Sequence, residues 1–111
     1  MDENILNSAL YPSLKNKIVL ITGGASGIGS SIVENFCYQQ SKVVFFDIDD
    51  NLASQVVDHN IKSYKNKPIY IKCDLTNTNQ LIKTIKNIGK DIGDIAILIN
   101  SAANDKRHEM S

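Results

Sequence analysis

The sequence of 111 residues has few of the features that mark disulfide-rich and metal-binding proteins. It contains two cysteines, Cys37 and Cys73, which lie far apart and form no Cys-x-x-Cys pair, and only two histidines. A disulfide framework or a zinc site needs more cysteines and histidines at closer spacing. We therefore expect a reduced, cytoplasmic setting and no metal site.

Excess charge of one sign and long apolar runs are also absent. Twelve Lys+Arg balance 12 Asp+Glu, so there is no basic surplus to displace counterions from phosphates, and we expect no nucleic-acid partner. No run approaches the roughly 20 apolar residues of a membrane span. The acidic N-terminus lacks the basic and apolar segments of a secretory signal. With 42% hydrophobic residues, the chain is expected to form one small globular domain without a membrane partner.

Four short apolar runs are typical of strands buried on both faces. They cover residues 18–22, 43–47, 69–74 and 95–100. The segments between them have apolar residues at helical spacing. The alternation predicts an α/β fold, a Rossmann-like doubly wound parallel sheet of which this chain holds the βαβαβαβ portion. Ligands of such sheets bind at the carboxyl ends of the strands.

Three helices are predicted between these strands. The first begins near Gly27 and ends at about Gln40, and the second covers about residues 50–65. The third begins after an N-cap at Thr76 or Asn77. The apolar stripes that we expect to face the sheet are Leu52, Val56, Val57, Ile61 and Tyr64 in the second helix and Leu81, Ile82, Ile85 and Ile88 in the third.

A glycine-rich loop, Thr22-Gly-Gly-Ala-Ser-Gly-Ile-Gly29, connects the first strand to the first helix. Glycines allow a tight turn and let the backbone approach a ligand, and the helix N-terminus offers free N–H groups that suit a pyrophosphate. The spacing is T-G-x-x-x-G-x-G, which is neither G-x-G-x-x-G nor a P-loop. The predicted cofactor contacts of this loop are Gly23, Ser26, Gly27, Ile28 and Gly29. The alternative is a glycine-rich turn without a ligand.

Asp47 ends the second predicted strand, where an acid can accept both hydroxyls of an adenosine ribose. A carboxylate at this position would repel the additional phosphate of NADP, and the next residue, Ile48, carries no positive charge. These residues favour NAD over NADP as the cofactor. The alternative is that Asp47 only caps the following helix.

The T-G-x-x-x-G-x-G loop resembles that of the short-chain dehydrogenase/reductase family. The resemblance implies that Asp74 and Leu75, which end the third strand, flank the adenine, although Asp74 could equally be a helix N-cap. It also implies that Asn100 and Ala102 line the adenosine ribose. Ser101 and Ala103 depart from the Asn-Asn-Ala-Gly of the family.

The resemblance extends over about residues 10–110. The leader 11–15, the glycine loop, the Cys-Asp-Leu after the third strand and the tail 103–108 look like those of bacterial sugar 1-dehydrogenases of the D-xylose or L-arabinose type. This implies a small-molecule sugar as substrate, with NAD-dependent oxidation of an aldose at C1 to a lactone. Two alternatives are a non-catalytic module that binds an adenine dinucleotide and a methyltransferase-like fold, against which the glycine spacing argues.

The catalytic Ser and Tyr-x-x-x-Lys pair of the family lie after the fourth strand. Two pairs here have that spacing, but Tyr11–Lys15 precedes the first strand and Tyr38–Lys42 enters the second strand from its amino end, so we predict no catalytic residue. We expect a leader over 1–14 and an NAD-binding portion over 15–111 that is truncated before the catalytic half and inactive by itself. The free edge of the fourth strand is expected to promote self-association.

Overall fold

A computed structural model describes residues 10–101, and these residues form a parallel sheet of four strands with helices on both faces. The strands are β1 (Ile18–Thr22), β2 (Lys42–Asp47), β3 (Ile69–Lys72) and β4 (Ile95–Asn100). The helices are α1 (Gly27–Tyr38), α2 (Asp50–Tyr64) and α3 (Thr78–Asp91), and a short 3₁₀ turn, Pro12–Leu14, precedes β1. Ala102 and the tail 103–108 lie outside the described residues.

The strand order is β3-β2-β1-β4, and every neighbouring pair is parallel. The chain therefore starts at the centre of the sheet, moves outward to β3 and returns across it to β4 through α3. This confirms the predicted α/β Rossmann-like fold. All four strands end at the same edge, which brings the segments that follow β1, β2 and β3 close to one another.

The two central strands carry the core. Their alternate residues point to opposite faces, so the apolar runs of β1 and β2 are buried on both sides. On one face the cluster includes Val19, Ile21, Val43 and Phe45 of the strands, Val33 and Cys37 of α1, and Ala53 and Val56 of α2. On the other face it includes Leu20, Val44 and Phe46 of the strands with Cys73 and Ile88.

The third strand is shorter than predicted, because it ends at Lys72 rather than at residue 74. The carboxylate of Asp74 accepts hydrogen bonds from the backbone N–H and the hydroxyl of Thr76, at 2.9 and 2.7 Å. This local turn replaces the hydrogen bonds that would continue β3 along β2, and it directs the chain toward α3.

The helix faces differ from the predicted stripes at three positions. Ile82 is 49% exposed, Ile61 39% and Leu52 36%, so these three predictions were wrong. In α2 the buried line is Ala53, Val56 and Asn60 instead. Small Ala53 permits close packing against the sheet, and the amide of Asn60 donates to the carbonyl of Val56, which lets a polar side chain lie in the interior.

The fourth strand has an alternating pattern of exposure. Its residues 95, 97 and 99 are half-buried, whereas Leu98 on the opposite face is 60% exposed. The hydroxyl of Thr22 donates to the side-chain oxygen of Asn100 at 2.7 Å and joins the ends of β1 and β4. Within residues 10–101, no helix has both the length and the apolar character that crossing a membrane requires.

Two substitutions in α3 test which of its isoleucines faces the sheet. Ile88 is 1% exposed, and Ile88→Ala should lower the free energy of unfolding by about 2–5 kcal/mol because it leaves a cavity. Ile82→Ala should change it by less than about 0.5 kcal/mol, since alanine is a good helix former and little burial is lost. Urea denaturation followed by circular dichroism measures both values. Equal losses would contradict the observed orientation of α3.

Candidate functional site

The glycine loop between β1 and α1 lies on the carboxyl edge of the sheet. Gly23 and Gly27 have φ values of 68° and 54°, in the left-handed region that favours glycine. The backbone N–H groups of Gly23 and Gly24 both donate to the carbonyl of Phe46, at 2.8 and 3.1 Å. The loop is thus anchored to the end of β2.

Three glycines of the loop have different surroundings. A side chain on Gly29 would overlap the carbonyl oxygen of Gly23, because the first turn of α1 packs directly on the loop backbone. A side chain on Gly24 would lie 2.6 Å from Cβ of Phe45 in the core. Gly27 meets no atom within 4 Å, so the side of the loop at Gly27 is open among the described residues.

Gly24 was not among the predicted site residues. The T-G-x-x-x-G-x-G spacing assigns no role to it, and the aromatic side chain that occupies the adjacent space comes from β2. The doubled glycine at 23–24 was the one available signal, since a second glycine beyond the motif indicates close packing.

The N-terminus of α1 differs from those of α2 and α3 in its capping. Asp49 and Asn77 cap α2 and α3 by accepting hydrogen bonds from Leu52 N–H and Gln80 N–H. Ser26 precedes α1 with extended backbone, and its side chain makes no capping hydrogen bond. The first N–H groups of α1, which have no partner within the helix, therefore remain available at the loop for an anion.

Asp47 joins the end of β2 to the glycine loop. Its Oδ2 accepts a hydrogen bond from the backbone N–H of Ala25 at 3.0 Å. Its Oδ1 accepts from the N–H groups of Ile48 and Asp49, at 2.7 and 3.2 Å. The alternative that Asp47 caps α2 is wrong, because Asp49 does so. A carboxylate has about four acceptor sites, so the half-buried Asp47 can still accept a hydroxyl.

A second polar group beside Asp47 was missed by sequence reasoning. The hydroxyl of Tyr70 donates to Asp50 at 2.7 Å, and Lys72 forms an ion pair with the same carboxylate at 3.3 Å. The hydrogen bonds from Tyr70 and Lys72 lower the pKa of Asp50, and the bond from Tyr70 has the larger effect. Burial, together with the hydrogen bond to Asp50, raises the pKa of Tyr70.

This group matters because Lys72 is the register partner of Asp47 on the neighbouring strand. The ammonium group of Lys72 forms an ion pair with Asp50 and not with Asp47, its register partner. The alternation of Tyr70 and Lys72 along β3 was the available signal, as such residues share one face of a strand.

The remaining predicted residues lie at the ends of β3 and β4. Asp74 begins the turn described above. Two hydrogen bonds from Thr76 lower the pKa of Asp74, and the bond from the Thr76 hydroxyl lowers it more than the bond from the backbone N–H. The alternative that Asp74 is a helix N-cap is wrong, because Asn77 caps α3. Leu75 packs against the core cluster of Phe46 and Cys73. Asn100 is held by Thr22, while Ala102 lies outside the described residues.

The structure thus brings the glycine loop, Asp47, Asp74, Leu75 and Asn100 to the carboxyl edge. Of the Tyr-x-x-x-Lys pairs, Tyr38 ends α1 and Lys42 begins β2, at the opposite edge of the sheet. Tyr11 precedes β1, and its backbone N–H donates to Gln39 near that same edge. Neither pair can reach a ligand bound on the glycine loop.

Sequence comparison finds similarity to one family of enzymes. A family model for short chain dehydrogenases matches residues 17–111. The chain is 41% identical over 106 residues to a D-xylose 1-dehydrogenase of Caulobacter vibrioides, covering 96% of this chain and 41% of that enzyme. It is 31% identical to a probable galactose dehydrogenase of Rhizobium meliloti, covering 95% of this chain and 41% of that protein.

A solved structure is similar as well. The 2-keto-3-deoxy-D-gluconate dehydrogenase of Streptococcus agalactiae superposes with a TM-score of 0.70 and 33% identity. The superposition covers 79% of this chain and 33% of that one. The chain spans about two fifths of the length of the curated relatives that it matches, and the matched part includes the whole glycine loop.

Two glycine substitutions test the close contact between α1 and the loop. Gly29→Ala should lower the free energy of unfolding by about 3 kcal/mol, because its methyl group overlaps the Gly23 carbonyl. Gly89→Ala is the matched control within α3, where the added methyl group meets no atom within 4 Å. It should raise the free energy of unfolding by about 1 kcal/mol. Equal effects in urea denaturation would contradict the contact.

Proposed function

This chain belongs to the short chain dehydrogenase family, and we propose that its residues 15–111 bind NAD as the dinucleotide-binding portion of a sugar dehydrogenase. The observation that carries the proposal is the hydrogen bond between Asp47 and Ala25 N–H, which holds a ribose-binding acid against the glycine loop. The two halves of a dinucleotide site, for phosphate and for ribose, are thereby adjacent.

The phosphate half is built from backbone. The open side of the loop at Gly27 and the uncapped N-terminus of α1 supply N–H donors without side chains in the way. Ser26 and Gly29 lie in the same segment, and Ile28 is 56% exposed beside them. We assign the pyrophosphate to Gly23, Ser26, Gly27, Ile28 and Gly29.

The adenosine half is assigned to the ends of the strands. Asp47 would accept a ribose hydroxyl through the acceptor site that its three backbone hydrogen bonds leave open. Asp74 and Leu75 would flank the adenine, and Asn100 and Ala102 would line the ribose, as the family resemblance implies. The hydrogen bonds that already hold Asp47, Asp74 and Asn100 support this assignment, because they orient each side chain before a ligand binds.

Charge supports NAD rather than NADP. A 2′-phosphate would approach the carboxylate of Asp47, and the register neighbour Lys72 is paired with Asp50. Ile48, directly after Asp47, is apolar and 63% exposed. The carboxylate of Asp47 would therefore repel the additional phosphate of NADP.

The reaction proposed for the whole protein is oxidation of an aldose at C1 to a lactone. The names of the two curated relatives support a sugar as the substrate. When bound, NAD would supply the hydride acceptor. Within residues 10–101, no Tyr-x-x-x-Lys pair lies at the carboxyl edge, so we assign no catalytic residue to this part of the chain. Cytoplasmic location and self-association through the edge of β4 are further parts of the proposal.

The charge of Asp47 can be tested with a neutral variant of nearly equal shape. Asp47→Asn should weaken NADH binding about tenfold or more, because hydrogen bonds to an ionised acceptor contribute about 1.5–3 kcal/mol. Binding of NADPH should be unchanged or stronger. Asp58→Asn, at an exposed position of α2, is the control of equal charge and should bind NADH normally. Fluorescence titration measures these affinities against those of the unmodified chain, and unchanged NADH affinity in Asp47→Asn would refute the ribose assignment.

The open side of the loop can be filled directly. Gly27→Val places a branched side chain where the phosphates are proposed to approach, and it should abolish NADH binding. Because Gly27 has a positive φ, Gly27→Ala serves as the milder variant, and thermal melting reports whether each protein remains folded. Full NADH affinity in a folded Gly27→Val protein would show that the phosphates bind elsewhere.

A further inference from the structure

Lys72 is a positive charge that the sheet places beside Asp47. The two residues are register partners on the parallel strands β3 and β2, and neighbouring strands lie about 4.8 Å apart. Register partners point their side chains to the same face of a sheet. Phe45 and Tyr70, the register pair two residues earlier, stack on this face with ring centroids 5.3 Å apart. The register alone would therefore favour an ion pair between Lys72 and Asp47.

The ion pair that forms is with Asp50 instead. Nζ of Lys72 lies 3.3 Å from Oδ2 of Asp50. Both oxygens of Asp47 are occupied by hydrogen bonds from three backbone N–H groups, which hold that carboxylate against the main chain. Asp50 is the first residue of α2, and its carboxylate contacts side chains rather than the main chain.

The hydroxyl of Tyr70 orients the carboxylate of Asp50. It donates to Oδ1 of Asp50 at 2.7 Å and also lies 3.3 Å from the carbonyl of Asp47. Because the hydroxyl uses Oδ1, Oδ2 is left for the ammonium group of Lys72. Tyr70 is itself placed by its stacking on Phe45 in the core. A buried ring thus determines, through Asp50, where the charge of Lys72 lies.

The ion pair is exposed, so it can be broken without disturbing the core. The side chains of Lys72 and Asp50 are 62% and 61% exposed. An exposed pair is weak, and the long side chain of lysine reorients readily when its partner is lost. Without the charge of Asp50, the ammonium group would be free beside Asp47, where the 2′-phosphate of NADP would extend from the ribose. A lysine ammonium group is a strong partner for a phosphate.

We propose that Asp50 is a determinant of cofactor specificity, because it holds the ammonium group of Lys72 away from the position of a 2′-phosphate. The inference rests on the proposed NAD site and adds a second device to it. Asp47 repels the phosphate directly, whereas Asp50 withholds a cation that would attract it. Asp50 is therefore a positioning residue, which acts through Lys72 and does not touch the cofactor.

The test compares NADPH and NADH binding by fluorescence titration of the 111-residue chain. Asp50→Asn should raise NADPH affinity about fivefold at low salt, because Lys72 becomes free to neutralise the 2′-phosphate. The gain should shrink at high salt. NADH lacks this phosphate and should bind within about twofold of the unmodified chain. The same comparison in an Asp47→Asn background covers the case in which repulsion by Asp47 makes NADPH binding too weak to measure.

Two further variants identify the charge that is responsible. Adding Lys72→Gln to Asp50→Asn should return NADPH affinity to within about twofold of the unmodified chain. Tyr70→Phe keeps the stacked ring but removes the hydroxyl that orients Asp50, and it should raise NADPH affinity about twofold. Asp58→Asn, at an exposed position of α2, changes the net charge as Asp50→Asn does and should leave both affinities unchanged.

The possible results separate this inference from the proposed function. Unchanged NADPH affinity in Asp50→Asn, with normal NADH affinity, would overturn the inference and leave the NAD site standing. A gain that persists after Lys72→Gln would also overturn it, because Asp50 would then act only by its own repulsion of the phosphate. An unmodified chain that binds no NADH would refute the proposed function, and the inference with it.

Discussion

The contact between the first turn of α1 and the carbonyl of Gly23 is the constraint on which the candidate site depends. Only a residue without a side chain fits at position 29, so the helix can approach the end of β1 closely enough to direct its N–H groups over the loop. Gly24 imposes a similar requirement on the other side, against Phe45. The loop conformation therefore follows from the packing of the protein on itself.

Asp47 connects this loop to the electrostatics of the neighbouring strands. It accepts backbone hydrogen bonds from both the loop and the start of the next segment, so its position is determined by the main chain rather than by a flexible partner. In the adjacent group, Asp50 forms an ion pair with Lys72 and accepts a hydrogen bond from Tyr70. A negative charge therefore lies where the ribose is proposed to bind, and this charge supports the proposed preference for NAD.

Helix α1 has a different role in each half. Its N-terminus offers N–H donors at the carboxyl edge of the sheet, which suit an anion. Farther along, the carboxylate of Glu34 accepts a hydrogen bond from Tyr64 of α2 and contacts His59, which ties the two helices together. The family and the fold establish the N-terminal half as part of a dehydrogenase framework.

The sequence by itself determined the class of fold, the glycine loop and the order of the strands, whereas the predicted end of β3 lay two residues too far along the chain. Apolar runs, glycine spacing and helix periodicity are local properties, and they located β1 and β4 at their observed bounds. Only the tertiary structure decided that Asn60 is buried while Ile61 is exposed, that Gly24 packs on Phe45, and that Lys72 pairs with Asp50. These outcomes depend on the rotation of each helix against the sheet and on contacts between distant segments, which local patterns do not encode.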